Sequence, residues 1–423
     1  MPDYDKIFAD MGCPPVTPPR LRSSDHDLCL TDPFRYFLVR RLGLVPALSP
    51  PDARDEGTWL HTHLSLIDKP PIARDVSLNQ QRSAAHAEIE RAADEFDVPD
   101  SIRNERKADV DSLCASTQAW WEAALDAVPI GKYPTLRSYL QRPNWQPVLI
   151  EHTQSIPGLP IPSVIQIDRM IYDETNNCVD IFDLKSCAET TRIRAATCSF
   201  EFQTRHYLFG ERAILGSLGL PKGCYIRDMC HILWQKPTIR ISNDDRPYHW
   251  YSEGKKSGVT GTAKPKGGHW EVTCSGWPNP EVLLQEQHAI DRLHEATGKK
   301  PEKSFLGDPD PARYLERCKR WYAGTGEFSA EGVQRGIDES PVLDVSRTSA
   351  TLLLDLEVER DYRADVDTIV HYATCPPDPA LFPRNYPKLR EFRRLSPYYH
   401  FYVQPVDEWP RIIADEKFVV AHR

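Results

Sequence analysis

The sequence lacks any apolar run of about 18 residues or more, which excludes a spanning helix of ordinary length. The stretch from Met1 to Gly12 lacks the basic-then-apolar order of a signal peptide, so the chain is expected to stay in the cytoplasm where it is made. No Gly-x-x-x-x-Gly-Lys-Ser/Thr phosphate loop and no internal repeat occur, which argues against an attached ATPase motor or a solenoid. The 11 cysteines are odd in number and scattered without tight pairing, a pattern of reduced thiols and not of a disulfide framework. Positive charge is also in deficit: the formal net charge is −9. Phosphate binding is driven by Lys and Arg, so this deficit speaks against a uniformly basic nucleic-acid coat. It does not exclude a basic track beside an acidic metal site.

Local basic clusters are present at Arg192 and Arg194, at Lys255, Lys256, Lys264 and Lys266, and at Lys388, Arg390, Arg393 and Arg394. Each also reads as an ordinary solvated face. The 423 residues, 40% hydrophobic and 27% charged, suffice for one large elaborated core or two modest domains. Residues 1–45 are expected to form an N-terminal arm and helix. Residues 46–236 read as a core with a helical insertion at about 79–140, and 237–423 as an α+β extension that packs back on it. Asp32-Pro33 is an N-cap followed by proline at the first helical position, and it starts a helix that stops at Gly43. Short helical signals surround Gly57 to Leu64, and longer ones run over 79–97 and 102–127. Strands are expected at 147–152, 163–172 and 178–186. The cluster Asp173-Glu174-Thr175-Asn176-Asn177 joins the last two as an antiparallel hairpin. A helix over 198–218 and a strand over 223–235 follow. The order of helix, three strands, helix and strand implies an α/β fold, a mixed sheet flanked by helices. Further on, a polar hairpin is expected over 240–280, with helices at 281–297 and 311–322. Residues 350–359 read as strand or helix.

Asp183-Leu184-Lys185 ends the third strand. The period of two places its carboxylate and ammonium on one face, about 6–7 Å apart along the chain. A carboxylate there can bind a divalent cation, while the lysine orients the attacking water and steadies charge on a phosphate. A surface ion pair is the plain alternative, since Asp-x-Lys arises by chance in a chain of this size. Asp168 ends the apolar run of the preceding strand, so the hairpin returns it beside Asp183. Two such carboxylates repel unless a cation lies between them, and magnesium favours one or two carboxylates with waters. Asp168 also reads as a turn residue or a partner for Arg169. Gln203 and Tyr207 are four apart and share a helix face, from which they reach the strand ends or the nucleic-acid backbone, although Tyr207 also reads as a core aromatic. His61 is a candidate metal ligand, more at home with manganese, with His63 its rival on another side of the helix. Glu151 on the first strand is a further candidate carboxylate.

In order, Gly57-x-x-x-His61, Glu151, Ile167-Asp168-Arg169, Asp183-Leu184-Lys185 and Gln203-x-x-x-Tyr207 resemble the RecB-like branch of the PD-(D/E)XK nuclease superfamily. Within it, the chain looks most like phage-type exonucleases and CRISPR-associated relatives that carry an iron-sulfur cluster. The resemblance implies a restriction-endonuclease-like αβββαβ core and Mg2+ or Mn2+ held by His61, Asp168, Asp183 and the Leu184 carbonyl. It implies Lys185 as catalytic lysine and Gln203 and Tyr207 bracing the site or touching DNA; Glu151 is an additional candidate acidic residue, and the basic cluster of Arg192 and Arg194 a candidate DNA track beside the site. The activity implied is DNA phosphodiester hydrolysis by an exonuclease acting on ends or single strands, in recombination, repair or phage DNA processing, in a bacterial or phage-encoded protein. A DNA-binding or assembly protein that keeps the fold without activity is the alternative. DNA is the implied partner, with a homo-oligomer or a recombination protein left open. The cluster-bearing relatives place a cysteine before Pro-x-x-Tyr, where this chain has Asp32 before Pro33-Phe34-Arg35-Tyr36, and 382–402 contains no cysteine. No iron-sulfur cluster is therefore expected, and packing of Phe382, Phe392, Tyr398 and Tyr399 is expected to hold that segment instead.

Overall fold

A computed structural model of the chain describes residues 4–13, 21, 25–46, 53–95, 98–156, 158–187, 190–241, 245, 248–252, 268–272, 310–325, 342–385, 387, 390–391, 394–415 and 418–420. The expected helix at 281–297, the lysines of 255–266, Lys388, Phe392 and Arg393 lie outside them.

Five strands form the central sheet: β1 (Trp145–Ile156), β2 (Ser163–Asp173), β3 (Cys178–Cys187), β4 (Tyr225–Gln235) and β5 (Leu343–Ser349). Their spatial order follows the chain. The β1/β2, β2/β3 and β4/β5 pairs are antiparallel, and β3/β4 is parallel. A parallel pair needs a long crossover, supplied here by two helices. The α/β layout expected from the sequence is thus present as a mixed sheet flanked by helices.

Alternation in β3 explains the layering. Phe182 and Leu184 join one core with Leu60, Leu64, Trp121 and Trp234, while Val179 and Ile181 join another with Ile165, Tyr207 and Leu208. The first face is covered by helices that include α1 (Ala53–Ser65), α2 (Asp100–Ala127) and, from far along the chain, α3 (Pro311–Ala323). Trp121 stacks on Trp234 at 4.9 Å, and Trp120 Nε1 donates to the Tyr314 hydroxyl at 2.7 Å. A helix over Pro71–Glu95 lies between α1 and α2 in the chain, so the helical region starts earlier than residue 79.

Two expectations need correction. The helix expected at 198–218 runs over Phe202–Ile214, and a separate helix that no pattern indicated, Thr191–Cys198, precedes it; the Thr204 hydroxyl donates to the Cys198 carbonyl at 2.7 Å across the corner between them. The sheet also carries β5, which no pattern indicated, and residues 350–353 and 356–374 are helical. The strands Tyr248–Ser252 and Gly268–Val272 pair antiparallel within the expected hairpin region.

Segments drawn from residues 8–44 and 362–418 meet in a separate aromatic core. Asp32 caps Pro33–Tyr36, accepting from Arg35 N at 3.3 Å, and also accepts from the Tyr402 hydroxyl at 2.6 Å. Phe37 lies 4.6 Å from Phe382, and Phe34 lies 4.8 Å from Tyr402. Phe382 and Tyr398 are buried, and Tyr399 packs against the same core half-buried. His26 joins this region to the helix Phe202–Ile214. Its ring stacks on Phe202 at 4.7 Å, and its Nε2 lies 3.3 Å from Asp365, which also takes Arg205 at 2.6 Å. Burial works against the imidazolium, but Asp27 and Asp365 outweigh it and raise the pKa. A raised folded-state pKa contributes stability that is full below the unfolded value near 6.5 and is lost as pH rises through the folded one. His26→Gln is therefore expected to lower the melting temperature more at pH 5.5 than at pH 8, by about a few degrees. An equal loss at both values in thermal melts removes the ion-pair account.

Candidate functional site

The site begins with a failure of pairing. The β2/β3 ladder runs from Asp173 opposite Cys178 to Arg169 opposite Phe182 and stops. Beyond that point β2 stays paired with β1 as far as Ser163, and β3 stays paired with β4 as far as Cys187. The strands splay into a fork, and Asp168 and Asp183 are the next residues on its two prongs. Asp168 Oδ2 accepts from the Leu184 backbone N–H at 2.7 Å, so a side chain replaces the missing ladder partner. Both aspartates are buried, at 4% and 1% exposure.

Each carboxylate meets one cationic or basic group. His61 Nδ1, from α1, lies 2.9 Å from Asp168 Oδ2. Lys185 Nζ lies 2.8 Å from Asp183 Oδ2 and also donates to Gln203 Oε1, while Gln203 Nε2 donates to the Tyr207 hydroxyl at 2.7 Å. Neither Asp183 oxygen accepts an aligned hydrogen bond. Burial raises the Asp168 carboxyl, with Asp183 pushing the same way against His61 and the Leu184 N–H. Burial also works to raise Asp183, but Lys185 and then His231 and His61 outweigh it and hold it below the ordinary range.

The remaining candidates separate by position. His63 is buried, stacks on Trp121 at 5.8 Å and is pushed down to about 4, first by burial, so His61 alone of the two meets Asp168. Arg169 does not pair with Asp168; it donates to Asp68 at 2.6 Å and ties the end of α1 to β2. Glu151 occupies β1 between the pairs Ile150/Arg169 and His152/Ile167, hence the register position opposite Asp168, and its side chain lies outside the described residues. Tyr207 is buried, whereas Arg192 is exposed. Arg194 grips Glu201 through two hydrogen bonds of 2.6 and 3.1 Å. Sequence reasoning did not single out His231, which sits beside Asp183 in the parallel pair, or Thr204 next to it. Burial pushes His231 down to about 4.

Among the described residues no three His, Cys, Asp or Glu side chains form a ready-made metal cage. The donor set nonetheless suits a hard cation, which takes one or two carboxylates and completes its shell with water. A buried carboxylate without an aligned hydrogen bond is costly unless another charge answers it; Asp183 accepts none, and the Lys185 ammonium at 2.8 Å keeps it charged and able to serve as a ligand. Among the described residues no helix is long and apolar enough to cross a membrane. No curated protein matches the chain. Residues 24–229, which hold the splayed strands, His61, both aspartates and the lysine, match the family model of the PD-(D/E)XK nuclease superfamily, and this stretch of the chain is similar to nucleases of that kind.

Proposed function

We propose that the protein is a Mg2+- or Mn2+-dependent nuclease that hydrolyses DNA phosphodiester bonds at the fork, and that it is an exonuclease of the RecB-like, phage-type branch acting on DNA ends or single strands. The observation that carries the reading is two buried carboxylates brought together where the ladder fails, with Lys185 against one of them. Asp168 and Asp183 would hold the cation, with His61 and the Leu184 carbonyl completing the protein's share. A divalent cation bound there supplies Lewis acidity that offsets charge growing on the phosphate. Lys185, gripped by Gln203, presents one ammonium at a fixed place, where it orients the water and opposes the same charge. Gln203 is occupied by Lys185 and Tyr207, which supports bracing over DNA contact for both. Arg192, exposed at the surface, and Arg194, held to Glu201, are the candidate basic track for phosphates.

A second reading, a DNA-binding protein without activity, draws support from the two internal pairs, which answer both carboxylates without a cation. Incubating the protein with end-labelled single-stranded and duplex DNA, in Mg2+, Mn2+ or chelator, separates the two. The expected result is metal-dependent release of mononucleotides from one end. Internal fragments would replace the exonuclease assignment, and intact DNA under every condition would favour the second reading.

A further inference from the structure

His231 is wholly buried beside Asp183, and its hydrogen bonds can be settled by counting protons. The Thr204 hydroxyl has one proton and donates it to the Cys198 carbonyl at 2.7 Å. Toward His231 Nε2, 3.0 Å away, that oxygen can only accept, so Nε2 carries hydrogen. Nδ1 is buried without a hydrogen-bond partner. Hydrogen there would be a stranded donor, which costs more than a bare lone pair in the same place. The ring is thus a neutral Nε2–H tautomer that donates to the Thr204 oxygen, with Asp183 beside the same nitrogen. Asp183 Oδ2 lies 3.9 Å from Nε2 and 2.8 Å from Lys185 Nζ. The ammonium and the neutral ring nitrogen both approach Asp183 from the Oδ2 side, although neither carboxylate oxygen accepts an aligned hydrogen bond.

We propose that His231, held by Thr204, is a positioning residue: its N–H dipole and the Lys185 ammonium both lie on the Oδ2 side of Asp183 and so leave Oδ1 to a divalent cation. The proposal rests on the reading of Asp183 as a cation ligand. Partners one shell behind a ligand set its orientation, and their loss weakens metal binding about 10- to 100-fold. Leucine at 231 fills the space without a donor, whereas the glutamine amide returns an N–H near the Nε2 position.

The test is calorimetric titration of the full chain with Mn2+, together with 15N shifts of the metal-free imidazole. His231→Leu is expected to weaken Mn2+ binding about tenfold or more, and His231→Gln to stay within about threefold of the parent. Thr204→Val, which removes the acceptor, should move the affinity in the same direction as His231→Leu and serves if that variant does not fold. The shifts should report Nε2–H. Unchanged affinity in His231→Leu or Thr204→Val, or an Nδ1–H tautomer, overturns this proposal alone. Failure of the parent protein to bind Mn2+ overturns the metal reading and the proposal with it.

Discussion

Asp183→Asn is expected to lower the DNA cleavage rate on the order of 10³-fold or more while the chain remains folded. Asparagine has nearly the same shape and removes only the charge. That charge is what Lys185 and His231 hold below the ordinary carboxylate range despite complete burial. Without it the fork keeps Asp168 as its sole described anionic carboxylate, and a hard cation loses its second protein anion. The fold should be retained at reduced stability, because β3 remains paired with β4 through this position while the 2.8 Å ion pair with Lys185 is lost. Single-turnover cleavage of labelled DNA, with circular dichroism of the same sample, checks both halves. Cleavage within about tenfold of the parent would remove Asp183 from the reaction.

Lys185→Met should cost about 10²- to 10³-fold in the same assay, the usual loss when one fixed donor to a developing charge is deleted. Methionine keeps the length and apolar stem and removes the ammonium. In the parent, that ammonium joins Asp183 to Gln203, and Gln203 to Tyr207, so its place is set by three side chains. Groups that act as a unit are not additive, so Asp183→Asn combined with Lys185→Met should be no slower than the slower single variant. DNA affinity measured in chelator should change less than the rate. A loss of affinity that accounts for the whole loss of rate would make Lys185 a binding residue only.

The central hairpin was legible because its signals are local. Apolar alternation marks both strands, and the Asp-Asn turn fixes which residues face each other, so Asp168 falls opposite Asp183. His61 was legible as a residue type, and its meeting with Asp168 depends on α1 packing over the sheet. β5 was not legible: Leu343–Ser349 has little apolar alternation, and its partner β4 lies more than a hundred residues away. His231 was hidden for a related reason. A parallel register is set by the crossover between strands, and no turn sequence announces that Asp183 pairs with His231. The corner before Phe202 was not legible either, since the run from Thr191 to Ile214 has no proline and only the hydroxyl contact from Thr204 to the Cys198 carbonyl marks it.

The claim that the fork is a cation site is tested most directly by diffraction from Mn2+-soaked crystals at a wavelength where manganese scatters anomalously. The account predicts an anomalous peak between Asp168 and Asp183, at about 2.0–2.2 Å from a carboxylate oxygen of each, and its absence in Asp183→Asn. A fully soaked crystal with no peak in the fork, or with its peak elsewhere on the protein, would contradict it.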